Sequence, residues 1–171
     1  MSNESAVESV LLLGSNLGQR EKNLSDARGY LTSSGMKILK ESSIYETDAW
    51  GNDFQKAFLN QVLIVRTQLI AQDLLVLLLE TERKLGRTRQ KKWEDRIVDI
   101  DILFYGSEVI KSESLTVPHP LVHERKFALV PLCEIRPDLF HPQFQLTMTQ
   151  LLERCDDHKS VKKYNVPVYG L

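Results

Sequence analysis

The stretch RIVDIDILF, Arg96 to Phe104, sets Asp99 and Asp101 two residues apart in a run otherwise rich in strand formers. Side chains alternate along a strand, so Val98, Ile100 and Ile102 would face one way and both carboxylates the other. Their Cβ atoms would stand roughly 6–7 Å apart, close enough to bind one or two cations together. Mg²⁺ suits such a pair, because it prefers carboxylate oxygens, keeps several waters and commonly touches substrate phosphates. Taken alone, the pair could equally be exposed carboxylates on an edge strand.

The neighbouring residues favour the metal. Immediately upstream, GRTRQKKWEDR carries Arg87, Arg89, Lys91, Lys92 and Arg96. A basic loop leading into a diacid strand is what phosphoryl transfer needs: metals bridge phosphate oxygens, and guanidinium forks neutralise developing charge. The plainer reading is a solvated charged loop. Trp93 speaks against it, since an indole among so many charges wants a flat or apolar surface to cover. Four of the nine residues from Arg87 to Asp95 are Arg or Lys, so the loop is expected to be mobile alone and to close over phosphates.

Downstream, LTVPHPLVHERKFAL adds Thr116, His119, Arg125 and Phe127. His119 and His123 stand four apart, but no Cys or third ligand lies nearby and prolines flank His119, so zinc is set aside. His119 reads instead as a phosphate hydrogen-bond donor or a turn residue. Near the start, GSNLGQREKNL lacks the spacing of a phosphate-binding P-loop, and Asn16 reads as a turn or helix-start residue. The segments YETDAWG and FLNQ supply Thr47, Trp50, Phe58 and Asn60. Phe58 and Asn60 share a strand face, an aromatic plate beside an amide able to read a heterocycle's edge.

These residues need a scaffold. Ser9–Gly14 reads as a buried strand, Gln19–Ser34 as a helix stopped by Gly35, and MKILKESSIYET as a strand. Phe58–Thr67 is a second long strand, Ala71–Leu85 a helix ended by Gly86, and IVDIDILF a further strand. The order β, α, β, β, α, β is that of an α+β ferredoxin-like sandwich, one antiparallel sheet with two helices on one face. Beyond it, EVIKS suggests another strand, and Leu121–Ile135 and Met148–Arg154 look helical.

A chain of 171 residues with 42% hydrophobic and 26% charged side chains is expected to fold as one globular domain, residues 1–171. A net charge of -1 gives no global field for nucleic acid or anionic membrane, so an anionic partner must be held by local cations. The polar start MSNESAVES is not a signal peptide, no apolar run has the length of a membrane span, and Cys133 and Cys155 form no CxxC pair. A cytoplasmic monomer is expected.

Taken in order, LLLGSNLGQREKNL, SSIYET, FLNQV, LGRTR, DIDIL and LTVPHP resemble the 6-hydroxymethyl-7,8-dihydropterin pyrophosphokinase family of folate biosynthesis over about Gly14 to Leu132. The resemblance implies transfer of the β,γ-pyrophosphoryl group of ATP to the pterin's hydroxymethyl oxygen, with release of AMP and with two Mg²⁺ ions. By the same resemblance, Asp99 and Asp101 hold the metal, and Arg87 and Arg96 act on the phosphates. Glu82, Arg89, Trp93, Arg96, Ile102, Thr116, His119 and Arg125 surround the nucleotide. Thr47, Asp48, Trp50, Phe58, Asn60, Trp93 and Phe127 surround the pterin. The chain departs from the family pattern at Glu94 and Asp95, where Gly and a small residue or Pro are usual, and at Ser114, where some members carry Arg. Trp50 replaces an aliphatic residue and Pro120 an aromatic one. A non-catalytic binding module would tolerate loss of the diacid, which is present here. A ferredoxin-like RNA-binding domain would want an aromatic strand pair and more positive charge.

Overall fold

A computed structural model describes residues 5–49, 56–86 and 97–167. Among these residues eight strands and four α-helices follow in the order β1 (Val7–Ser15), α1 (Arg20–Ser33), β2 (Lys37–Glu41), β3 (Tyr45–Thr47), β4 (Phe58–Thr67), α2 (Ala71–Lys84), β5 (Asp99–Tyr105), β6 (Ile110–Lys111), β7 (Thr116–Val117), α3 (Lys126–Ile135), α4 (Met148–Glu153) and β8 (Val161–Lys163). A 3₁₀ turn at Val122–Glu124 leads into α3. The fold is the expected α+β, ferredoxin-like one. β1 pairs antiparallel with β4 on one side and β5 on the other, and β2 pairs with β4.

Three features were not expected. MKILKESSIYET is two strands, not one: Ser42 breaks it, its hydroxyl accepting the Val62 N–H at 2.9 Å, and β2 and β3 each pair separately with β4. The C-terminal β8 then pairs with β3, so the main sheet runs β5-β1-β4-β3-β8.

The sheet is also covered on both faces. Leu11, Leu13, Leu59, Leu63, Ile100 and Ile102 pack with Leu24 and Leu31 of α1 and Leu74 and Leu78 of α2. Val10, Leu12, Val62, Ile64, Leu103 and Phe104 pack with Leu129 and Leu132 of α3 and Met148 and Leu151 of α4. The apolar run of β1 follows from this, since a strand buried on both faces has no polar side to alternate with. A bulge between Val10 and Leu11 leaves Leu103 unmatched, which puts Leu103 and its neighbour Phe104 in the same core.

Candidate active site

Register places the candidate residues. Gly14 of β1 lies opposite Asp99 of β5 and opposite Asn60 of β4, and Asn60 lies opposite Tyr45 of β3. Tyr45, Asn60, Gly14 and Asp99 therefore form one row across four strands. Asp101 lies opposite Leu12, one step further along. Val98, Ile100 and Ile102 are buried in the α1/α2 core, so alternation turns the half-buried Asp99 and Asp101 to the other face, as the sequence predicts. Paired strands put successive Cα atoms ~5 Å apart, so Asn60 and Asp99 are separated by roughly 10 Å with one glycine between them.

The diacid strand is an edge strand, and two contacts fix its outer side. Glu82 of α2, 2% exposed, accepts the Ile100 N–H at 2.8 Å. This bond grips the backbone between the two aspartates. Further along, the His119 N–H donates to the Leu103 carbonyl at 2.9 Å, which lays the Thr116–Pro120 segment beside β5. His119 Nδ1 accepts the Leu121 N–H at 3.1 Å, so the neutral ring carries its proton on Nε2. Burial, and then the Arg125 charge, push His119 down to about 4 against an opposing pull from Asp99. His119 is thus a neutral donor at pH 7, in electrostatic contact with both Asp99 and Arg125.

The other end of the row is built from β3, β4 and the β1–α1 loop. Asn60 Nδ2 donates to Thr47 Oγ1 at 2.6 Å, and both residues are buried. Leu59 belongs to the α1/α2 core, so Phe58 and Asn60 share the opposite face. Asn16 Nδ2 donates to the Lys56 carbonyl at 3.1 Å and Arg20 Nη1 to the Ala57 carbonyl at 3.1 Å. Together they hold the start of β4, just ahead of Phe58. Arg20 also pairs with Glu46 at 2.7 Å. Asn16 is therefore a strap on β4 and not a helix cap; the α1 cap position is Gln19, which makes no side-chain cap bond.

Helix α3 roofs the adjoining part of this face. Tyr45 donates its hydroxyl to Glu134, which also accepts the Ser43 N–H at 2.7 Å. Burial, the Glu134 hydrogen bond and its charge push the Tyr45 hydroxyl up to about 12. Burial would raise the Glu134 carboxyl, but hydrogen bonds from Tyr45 and Ser43 outweigh it and hold Glu134 below its usual value. At the start of α3, the Arg125 guanidinium lies 5.6 Å from the centre of the half-buried Phe127 ring.

Among the expected residues, the structure thus brings Thr47, Phe58, Asn60, Asp99 and Asp101 onto one face and sets His119 near both Asp99 and Arg125. Ile102 differs: its side chain is in the core on the opposite face, so anything it offers a nucleotide comes from its backbone. Glu82 is buried under β5. Asp48 is exposed, with its N–H 3.4 Å from the Ser160 carbonyl, and Thr116 sits on the β6–β7 ribbon opposite Lys111. Trp50, Arg87, Arg89, Lys91, Lys92, Trp93, Glu94, Asp95 and Arg96 lie outside the described residues, and with them the expectation of a closing loop. Gly14, Arg20 and Glu134 were not foreseen; their roles come from strand register and helix docking, which no local pattern announces. His123 packs against Phe144, ring centres 4.6 Å apart.

Two neighbouring carboxylates on one strand face are a fit donor set for Mg²⁺, which completes its shell with water and phosphate oxygens. Among the described residues no group of three His, Cys, Asp or Glu side chains is placed to hold a metal, as a zinc site would need. No described helix is long and apolar enough to cross a membrane.

The model of the 7,8-dihydro-6-hydroxymethylpterin-pyrophosphokinase family matches residues 10–137. The 2-amino-4-hydroxy-6-hydroxymethyldihydropteridine pyrophosphokinase of Aquifex aeolicus is 42% identical over 133 residues, 78% of this chain and 82% of that protein. The folic acid synthesis protein fol1 of Pneumocystis carinii is 43% identical over 146 residues, 85% of this chain but 20% of that protein. A solved structure of the Plasmodium falciparum HPPK-DHPS aligns with a TM-score of 0.69 at 16% identity, covering 90% of this chain and 46% of that one. The chain spans one part of those two longer proteins and most of the bacterial one.

Proposed function

The chain belongs to the 7,8-dihydro-6-hydroxymethylpterin-pyrophosphokinase family, and from that premise we propose that it moves a pyrophosphoryl group from ATP to the hydroxymethyl oxygen of 6-hydroxymethyl-7,8-dihydropterin, in folate synthesis. A bond forms between that oxygen and the β-phosphorus as its hydroxyl proton is lost to water, the bond from the α,β-bridging oxygen to the β-phosphorus breaks, and its electrons leave with AMP. The observation that supports the reading is the row Asn60–Gly14–Asp99: a side-chain amide and a carboxylate face the same way, one strand away on either side of a position without a side chain.

In this reading the pterin lies by Phe58 and Phe127, its edge met by Asn60, itself fixed by Thr47. Asp99 and Asp101 would hold Mg²⁺, two ions on the family pattern, and the Glu82 bond to the intervening backbone keeps the two carboxylates in register. Bound there, Mg²⁺ neutralises phosphate oxygens and offsets the repulsion that slows attack on an anhydride. His119 presents Nε2–H as a neutral donor to the nucleotide, and Arg125 adds fixed positive charge between nucleotide and pterin. Arg87 and Arg96 are assigned to the phosphates, Arg89 and Trp93 to the nucleotide, on the family pattern. The whole chain acts as one catalytic unit in this account.

Product identification tests it. Incubation with Mg²⁺, ATP and the hydroxymethyl pterin, followed by phosphorus NMR, is expected to show AMP and a pterin diphosphate. ADP with a pterin monophosphate would mean single phosphoryl transfer and would overturn the assignment.

A further inference from the structure

Gly14 occupies the middle of the row that joins the two half-sites, in a strand where glycine otherwise weakens packing. Its backbone does not explain it: among the described residues the glycines with positive φ are Gly18, Gly35, Gly86 and Gly106, and Gly14 is not one of them. Its conformation is therefore not one reserved for glycine. Space is the constraint. A Cβ on Gly14 would stand 2.9 Å from Asn60 Oδ1, closer than real Cβ atoms approach a neighbour, yet an ordinary 3.5 Å from Phe58 Cδ1. The conflict is with one atom of one side chain.

That side chain has nowhere to go. Asn60 is 4% exposed, and its Nδ2 is held at 2.6 Å by Thr47 Oγ1, itself on a residue 2% exposed. Turning the amide to escape a methyl group either breaks that bond or moves Oδ1 from its present position. We infer that Gly14 is a positioning residue for the heterocycle site: its missing side chain fixes the orientation of the Asn60 amide, and through it pterin affinity. The inference rests on the reading of Asn60 as a pterin contact.

A double-mutant cycle separates the two. Calorimetry would measure pterin binding, with a nonhydrolysable ATP analogue and Mg²⁺ present, for the wild type, Gly14→Ala, Asn60→Ala and the double variant. Gly14→Ala is expected to weaken pterin binding about tenfold or more, with ATP-analogue affinity changed less than about twofold. In the Asn60→Ala background, where Oδ1 is gone, adding Gly14→Ala is expected to change pterin affinity by less than about twofold. An equal loss in both backgrounds, or wild-type affinity in Gly14→Ala, overturns the inference. Wild-type pterin affinity in Asn60→Ala instead overturns the pterin reading of Asn60. Should Gly14→Ala not fold, thermal melting of the double variant decides: a folded double variant supports relief of the clash, and an unfolded one shows that Gly14 serves backbone packing and refutes its action through Asn60.

Discussion

Glu82 is the residue whose removal most clearly separates holding the diacid strand from binding a ligand. It is 2% exposed, and its carboxylate accepts the Ile100 N–H at 2.8 Å between the two aspartates. Glu82→Ala leaves that buried amide without its acceptor, which costs about 1–3 kcal/mol. It also removes one buried methylene, worth ~0.8 kcal/mol, for a combined loss near 3 kcal/mol. For a chain of this size each kcal/mol lowers the melting temperature by ~2–4 °C, so a fall of about 6–12 °C is expected. Glu82→Gln keeps an acceptor oxygen of the same shape and should lose less than half as much. Turnover, measured well below the melting point of each variant, should fall about tenfold or more in Glu82→Ala, because both carboxylates ride on the freed backbone, and less in Glu82→Gln. Calorimetric melting and steady-state AMP release read both effects. If Glu82→Ala melts like the wild type and only its KM for ATP rises, Glu82 touches the nucleotide and does not hold the strand.

Tyr45→Phe removes the hydroxyl bonded to Glu134 and should lower stability by about 1.5–3 kcal/mol in denaturant titrations near pH 7, the range for a hydrogen bond to a charged group. Because the folded-state value of Tyr45 is raised from 10.0 to about 12, its contribution is present below pH 10 and lost as pH rises toward 12, and Tyr45→Phe should lack that decline. His141 is buried, its Nδ1 accepts the Gln143 and Phe144 N–H groups, and burial followed by the nearby His123 lowers it to about 4. The unfolded chain takes that proton first, so stability present above pH 6.5 should be lost as pH falls toward 4, by at most ~1.4 kcal/mol per pH unit for this one group. Removing His141 should flatten the slope only in part, since His119 shifts the same way. Phe127→Ala should weaken pterin binding by about 1–3 kcal/mol and leave ATP affinity nearly unchanged; equal losses for both ligands in calorimetry would mean the pocket is misplaced.

The parts readable in advance were those with a local period. Leu24, Ala27 and Leu31 mark α1, and Asp99, Ile100, Asp101 and Ile102 mark a strand with one acidic and one apolar side; all fall as expected. The second covered face was hinted at by LLLG in β1, an apolar run too continuous for a half-exposed strand, but its roof, α3, lies more than a hundred residues away in sequence. The break between β2 and β3 depends on the Ser42 hydroxyl meeting the Val62 amide, a contact of two distant segments. β8 reads VKK, too short and too charged to declare itself, and becomes a strand only by pairing with β3. Asp99 and Asn60 were each picked out by type, whereas their placement on either side of Gly14 depends on the β1–β4 and β1–β5 registers.

The central claim is that Asp99 and Asp101 act through a bound cation on the phosphates of ATP. The most direct measurement is AMP release from ATP and hydroxymethyl-dihydropterin as Mg²⁺ is titrated, in the wild type and in Asp101→Asn, which keeps the side chain's size and removes its charge. The wild type is expected to show no turnover without Mg²⁺ and saturation on its addition, and Asp101→Asn turnover lower by about a hundredfold or more at saturating Mg²⁺ with melting temperature unchanged. Wild-type turnover in Asp101→Asn, or AMP release undiminished by chelation of the metal, would contradict the claim.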